Sequence, residues 1–82
     1  MTDLMEYLYD YTLSSRFPCY LHTAAYRDTD LPLTRHLDTL RRELPADLRQ
    51  TFDKYREADG ERHDLELEAM FQATWAVARA LF

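Results

Sequence analysis

The chain has 82 residues, of which 46% are hydrophobic and 30% charged, with a formal net charge of −5. One hydrophobic core is the most that such a length supports, and an aromatic content of 13% sets the chain apart from disordered sequences, which hold too few large apolar side chains to fold. The acidic balance argues against nonspecific binding to nucleic acid or anionic lipid, which depends on Lys and Arg neutralising phosphates.

A first helix is signalled by Leu4, Tyr7, Leu8 and Tyr11, which recur at i, i+3, i+4 and i+7 and form its expected apolar face, with Thr2 as the N-cap. Asp3 and Glu6 suit the positive end of its dipole. The pattern stops around Ser14-Ser15, and Pro18 restricts Phe17 before it. Residues 16–30 are equally readable as a short helix or as an ordered loop packed by its aromatics. A second helix is expected from Asp30 as N-cap, with Pro32 in its first turn and Leu33, Leu37, Leu40 and Leu44 on its apolar face.

Pro45 ends that helix and opens a third, with Leu48, Phe52 and Tyr55 on one face and Gly60 as its stop. The short connection makes the second and third helices neighbours, as a hairpin or a sharply bent pair. The fourth, over roughly 64–81, is apolar on several sides. Leu67, Met70, Thr74, Val77 and Leu81 share one face, while Phe71, Trp75, Ala78 and Phe82 share another. Ala69, Ala73, Ala76 and Ala80 form a third row, whose small side chains admit another helix at close range. One glycine, three prolines and no asparagine supply too few turns for a many-stranded sheet. The expected fold is therefore all-α, a single domain over residues 1–82 built as a small bundle of about four helices.

Cys19 is the only cysteine, so the disulfide stapling of small secreted domains is closed to this chain and a reducing cytoplasmic setting is expected. No run approaches the roughly 18 apolar residues needed to span a bilayer, and the start Met1-Thr2-Asp3 is acidic where a secretory signal is basic. Membrane association is not expected.

Catalytic and cofactor chemistry find little footing. Cys19 and His22 stand three apart, and His36 and His63 are isolated, whereas structural zinc sites use two close ligand pairs. The same Cys and His have no evident orienting group or oxyanion donor for nucleophilic catalysis. The residues three before each histidine are Cys19, Leu33 and Gly60, so the Glu-x-x-His of di-iron bundles is absent. Gly60 alone cannot build a phosphate-cradling loop. Glu57, Asp59, Glu61, Asp64, Glu66 and Glu68 form an acidic run without the ligand spacing of an EF-hand, and it reads as a solvated helix surface or as a mimic of nucleic acid. No enzyme activity, metal or cofactor is expected.

Charge is blocked along the chain. Residues 31–56 hold six bases against four acids, whereas residues 1–30 hold five acids and two bases and residues 57–82 six acids and two bases. Arg35, Arg41, Arg42, Arg49, Lys54 and Arg56 invite a helix-turn-helix reading, against which Asp47, Asp53 and Glu57 interleave and repel phosphates. Pairing of the basic block with acidic flanks, within the chain or between copies, explains the pattern more economically.

Glu6-Tyr7-Leu8-Tyr9, Leu44-Pro45 leading into Phe52-Asp53-Lys54-Tyr55, and Ala78-Arg79 together resemble a family of short, functionally uncharacterised helical proteins from Gram-positive gut bacteria and their mobile elements. The resemblance implies an all-helical fold and supplies no active site. The reading reached is a non-enzymatic module that binds another protein, a homodimer included, with Phe71, Trp75 and Phe82 as interface residues. The alternative is a phage or mobile-element accessory protein that inhibits a host nucleic-acid-binding defence enzyme through the acidic run. A DNA-binding helix-turn-helix stands third.

Overall fold

A computed structural model describes all residues, Met1–Phe82, as three α-helices with no strand. Helix α1 covers Asp3–Tyr11, α2 Ala24–Glu43 and α3 Ala46–Leu81. The all-α class holds, but the four-helix bundle does not form.

Helix α1 begins as its sequence directs, with the Met5 N–H donating to Thr2 Oγ1 at 3.3 Å. It runs on into a wide π-helical turn at Thr12–Arg16 and a tight 3₁₀ turn at Phe17–Leu21. Ser14 Oγ donates to the Asp10 carbonyl at 2.8 Å, an i to i−4 contact that competes with backbone bonding and loosens the helix there. Pro18 sits in the first turn of the 3₁₀ segment, where its missing N–H costs nothing.

Helix α2 starts seven residues earlier than expected, capped by Thr23 instead of Asp30: the Thr23 Oγ1 accepts from the Tyr26 N–H at 3.1 Å. Pro32 therefore lies inside the helix rather than in its first turn. The ring removes the N–H that would bond the Asp28 carbonyl. Asp28 and Pro32 are both exposed, so the freed carbonyl is not shut away in a core.

The larger correction concerns Gly60, which is no stop. It lies within the 36 residues of α3, with no positive φ anywhere in the chain. Glycine inside a helix costs only about 1 kcal/mol relative to Ala, and the flanks favour continuation through ion pairs of Arg62 with Asp59 and Glu66. A Cβ built on Gly60 meets nothing within 4 Å. Gly60→Ala is thus expected to stabilise the protein by about 0.5–1 kcal/mol, read as a rise of a few degrees in thermal midpoint; a fall would contradict a continuous helix.

Because α3 does not fold back, its two halves cannot pack together and no central core closes. The radius of gyration is 17.0 Å and the extents are 54 × 29 × 18 Å, against about 12 Å for the radius of a compact chain of this length. The longest extent matches the length of α3 at about 1.5 Å per residue. Tyr9 is the one buried residue.

Candidate interaction surfaces

Helix α1 lies on the C-terminal half of α3. The Tyr9 ring meets Phe71 edge to face, with centroids 5.4 Å apart and planes at 70°. Leu13, Phe17, Leu67 and Met70 line the apolar cleft beside them. Of the expected apolar face only Leu8 turns inward: Leu4, Tyr7 and Tyr11 are 61%, 68% and 47% exposed, while Met5 and Tyr9 of α1 and Leu13 of the following turn are covered with Leu8 to varying degrees. Two apolar stripes compete on this helix, and contact with Phe71 selects the second.

Burial holds the Tyr9 phenol above its ordinary pKa, and the nearby charges of Glu68, Asp64 and Asp10 push it the same way. The folded state therefore binds the phenolic proton more tightly than the unfolded state. Its contribution is fully present below the ordinary tyrosine value of about 10 and is lost as pH rises through the folded value. Alkaline unfolding monitored by circular dichroism should show this loss, and Tyr9→Phe should remove that component; an unchanged alkaline limb in Tyr9→Phe would count against the contact.

At the other end, α2 and α3 meet at the Leu44-Pro45 turn. Arg41 grips Asp53 with two hydrogen bonds, Nε to Oδ1 at 2.9 Å and Nη2 to Oδ2 at 3.0 Å. The Arg41 hydrogen bond holds the Asp53 carboxyl below the usual range. Arg49 reaches back to the end of α2, where Nε donates to the Arg41 carbonyl at 3.1 Å and Nη2 to the Leu44 and Arg42 carbonyls at 3.2 and 3.5 Å. These carbonyls lack helical partners, so the guanidinium serves as a C-cap. Two of the six bases of the central block are thereby engaged within the hairpin.

The three expected interface residues part company. Phe71 is half-buried under Tyr9. Trp75 is half-buried and, with Ala78, Arg79 and Phe82, lines a shallow apolar recess. Phe82 is fully exposed at the helix end. Ala69, Ala73, Ala76 and Ala80 are all exposed, so no helix of this chain enters the groove that their methyl groups leave.

The acidic run divides between two sides of α3. Asp59 and Glu66 flank Arg62, with Arg62 Nε 3.8 Å from Glu66 Oε1. Glu57, Glu61, Asp64 and Glu68 follow steps of four, three and four residues on the other side, and none of them is in an ion pair. Cys19 is exposed and its Sγ lies 3.5 Å from the Ser15 carbonyl. No three His, Cys, Asp or Glu side chains gather in a group that could hold a metal ion. No helix is long and apolar enough to cross a membrane.

No family model, curated protein or solved structure matches the chain.

Proposed function

We propose that this chain is a non-enzymatic helical interaction module whose hydrophobic core is completed by a partner protein. The observation that carries this reading is the surface. Its accessible area is 7158 Å² with one buried residue, whereas a compact monomer of this mass exposes about 5,200 Å². Leu33, Leu40, Leu48, Met70, Val77 and Leu81 are all at least 47% exposed, and apolar side chains spread over whole helix faces mark surfaces that another protein covers. A chain with so little interior cannot offset the entropy of ordering its backbone by itself.

The test is urea unfolding at high dilution, where any partner has dissociated. Helix should melt over a broad, weakly cooperative range. A sharp two-state transition, with the slope of about 1 kcal/mol per molar that a small globular protein shows, would overturn the reading.

One observation favours the second reading, an accessory protein of a phage or mobile element that occupies the basic groove of a host nucleic-acid-binding enzyme. The stripe Glu57, Glu61, Asp64 and Glu68 carries negative charge that no base of the chain pairs, and regularly spaced carboxylates on one helix side could stand in for phosphates. Binding to a basic nuclease should then be tight at low salt and lost near 0.5 M, as screening shortens the range of these charges. Absence of binding at low salt would dismiss it. Direct DNA reading has less support, because Arg41 and Arg49 are held inside the hairpin.

A further inference from the structure

The side of α3 that faces away from the rest of the chain carries a continuous pattern. Arg49 and Asp53, which meet α2, lie 18 residues or about five helical turns before Leu67 and Phe71, which meet α1, so α1 and α2 sit on one side of α3. Away from these contacts, about a quarter turn round the helix at the Leu48 end and nearly opposite at the Ala80 end, Leu48, Phe52 and Tyr55 lead through Asp59, Arg62 and Glu66 to Ala69, Ala73, Ala76 and Ala80, in unbroken alternating steps of four and three residues. That is the heptad repeat of a coiled-coil seam. Only Phe52 and Asp59 among these are partly covered; the rest are exposed.

We propose that this seam pairs with the same seam of a second copy of the chain, the two α3 helices running antiparallel. The inference rests on the reading that a partner covers exposed apolar surface, and names a second copy as the partner along α3, where it would cover Leu48; Leu33 and Leu40 of α2 lie outside the seam. Turning one copy end for end sets Leu48 against the second copy's Ala80, Phe52 against its Ala76 and Tyr55 against its Ala73. Each large side chain fills the space that a methyl group leaves, so the helices approach closely without a void. In the same register Asp59 meets Ala69, and Arg62 meets Glu66 twice, once from each chain. A parallel pair would instead place every residue against itself, with aromatics colliding, alanines leaving a gap, and Asp59, Arg62 and Glu66 each facing its own charge. Charges within a seam set register and orientation in this way.

Area and remaining charge agree with the arrangement. The surplus surface, about 2,000 Å² per chain over the whole molecule, exceeds the roughly 800 Å² per partner of a standard interface, so the seam need cover only part of it. The unpaired stripe Glu57, Glu61, Asp64 and Glu68 lies on the side away from the seam, so two acidic chains meet without bringing those carboxylates together.

The experiment uses the full chain. Sedimentation equilibrium at micromolar concentration should return twice the monomer mass of 9.8 kDa. In a Cys19→Ser background, chains carrying Tyr55→Cys mixed with chains carrying Ala73→Cys should cross-link to each other on mild oxidation. Arg62→Glu alone should weaken the dimer at least about tenfold, since it sets like charges face to face, and Arg62→Glu combined with Glu66→Arg should restore it. Tyr55→Cys chains cross-linking among themselves would overturn the antiparallel register, and failure of the double exchange to restore association would overturn the central pair. A monomer that unfolds broadly would overturn self-pairing while leaving the need for a partner intact. A monomer that unfolds sharply would overturn both.

Discussion

Tyr9→Ala is expected to detach α1 from α3 and to cost about 3–5 kcal/mol, the range for removing a large aromatic from a packed site. The argument is one of scarcity. Tyr9 is the only buried residue, and its ring is the partner of Phe71, so nothing else of comparable size holds the two helices together. Met5, Leu8 and Leu13 are only partly covered and cannot take over. The loss is local, because the N-terminal segment has no other buried anchor. Hydrogen exchange should show α1 and the segment 12–21 losing protection first, with α3 still helical. Tyr9→Phe keeps the ring and should retain most of the protection at neutral pH. If Tyr9→Ala leaves the exchange pattern of α1 and the melting midpoint unchanged, the α1 contact is not what orders the N-terminal segment.

How much of this was legible in the sequence follows from the range of each signal. Helix starts are set by groups three or four residues apart, so the cap at Thr2 and the break at Pro45 could be read directly, and the structure places both there. Residues 16–30 resisted because two caps compete within them: Asp30 precedes the proline that usually marks a first turn, yet Thr23 takes the role and leaves Pro32 inside α2. The inward face of α1 differs from the expected one in all but Leu8 for a different reason. Leu4, Tyr7, Leu8 and Tyr11 form as good a stripe as Met5, Tyr9 and Leu13, and only a partner ring far along the chain, Phe71, decides between them. Periodicity reports that a helix has an apolar face; it does not report which face finds a partner.

The seam on α3 was hidden by one residue. Leu48, Phe52 and Tyr55 read as the face of one helix and Ala69, Ala73, Ala76 and Ala80 as the face of another, because Gly60 stood between them as a stop. Once the helix is continuous, the two stripes become a single heptad with Asp59, Arg62 and Glu66 at its middle. The close helix approach expected along Ala69, Ala73, Ala76 and Ala80 has no occupant within the chain, and in the proposed dimer its occupant is the Leu48 end of the second copy's α3. The acidic run likewise changed meaning, since two of its six residues, Asp59 and Glu66, join the seam around Arg62 and the other four face the other way.

Gly60→Pro should be the most damaging single substitution on α3. Proline there removes the N–H that bonds the Arg56 carbonyl, drives its ring against that carbonyl, and pushes Asp59 out of the helical region, a cost of about 3 kcal/mol or more in a helix interior. Were Gly60 a true stop joining two shorter helices, Pro would be tolerated or even favoured beside the break, and Gly60→Ala would be unfavourable by forcing a side chain onto a left-handed turn. The continuous helix reverses both signs. Far-ultraviolet circular dichroism should therefore show Gly60→Ala holding or raising helix content while Gly60→Pro lowers it, with hydrogen exchange accelerating on either side of the break. The proposed dimer adds a sharper consequence. The heptad is one register only while α3 is unbroken, and a kink at its middle turns the Leu48 end and the Ala80 end away from one axis. Gly60→Pro should then dissociate the dimer at concentrations where Gly60→Ala remains paired. If Gly60→Pro melts at the same temperature as the natural chain and sediments with the same mass, α3 is two helices and the seam does not exist.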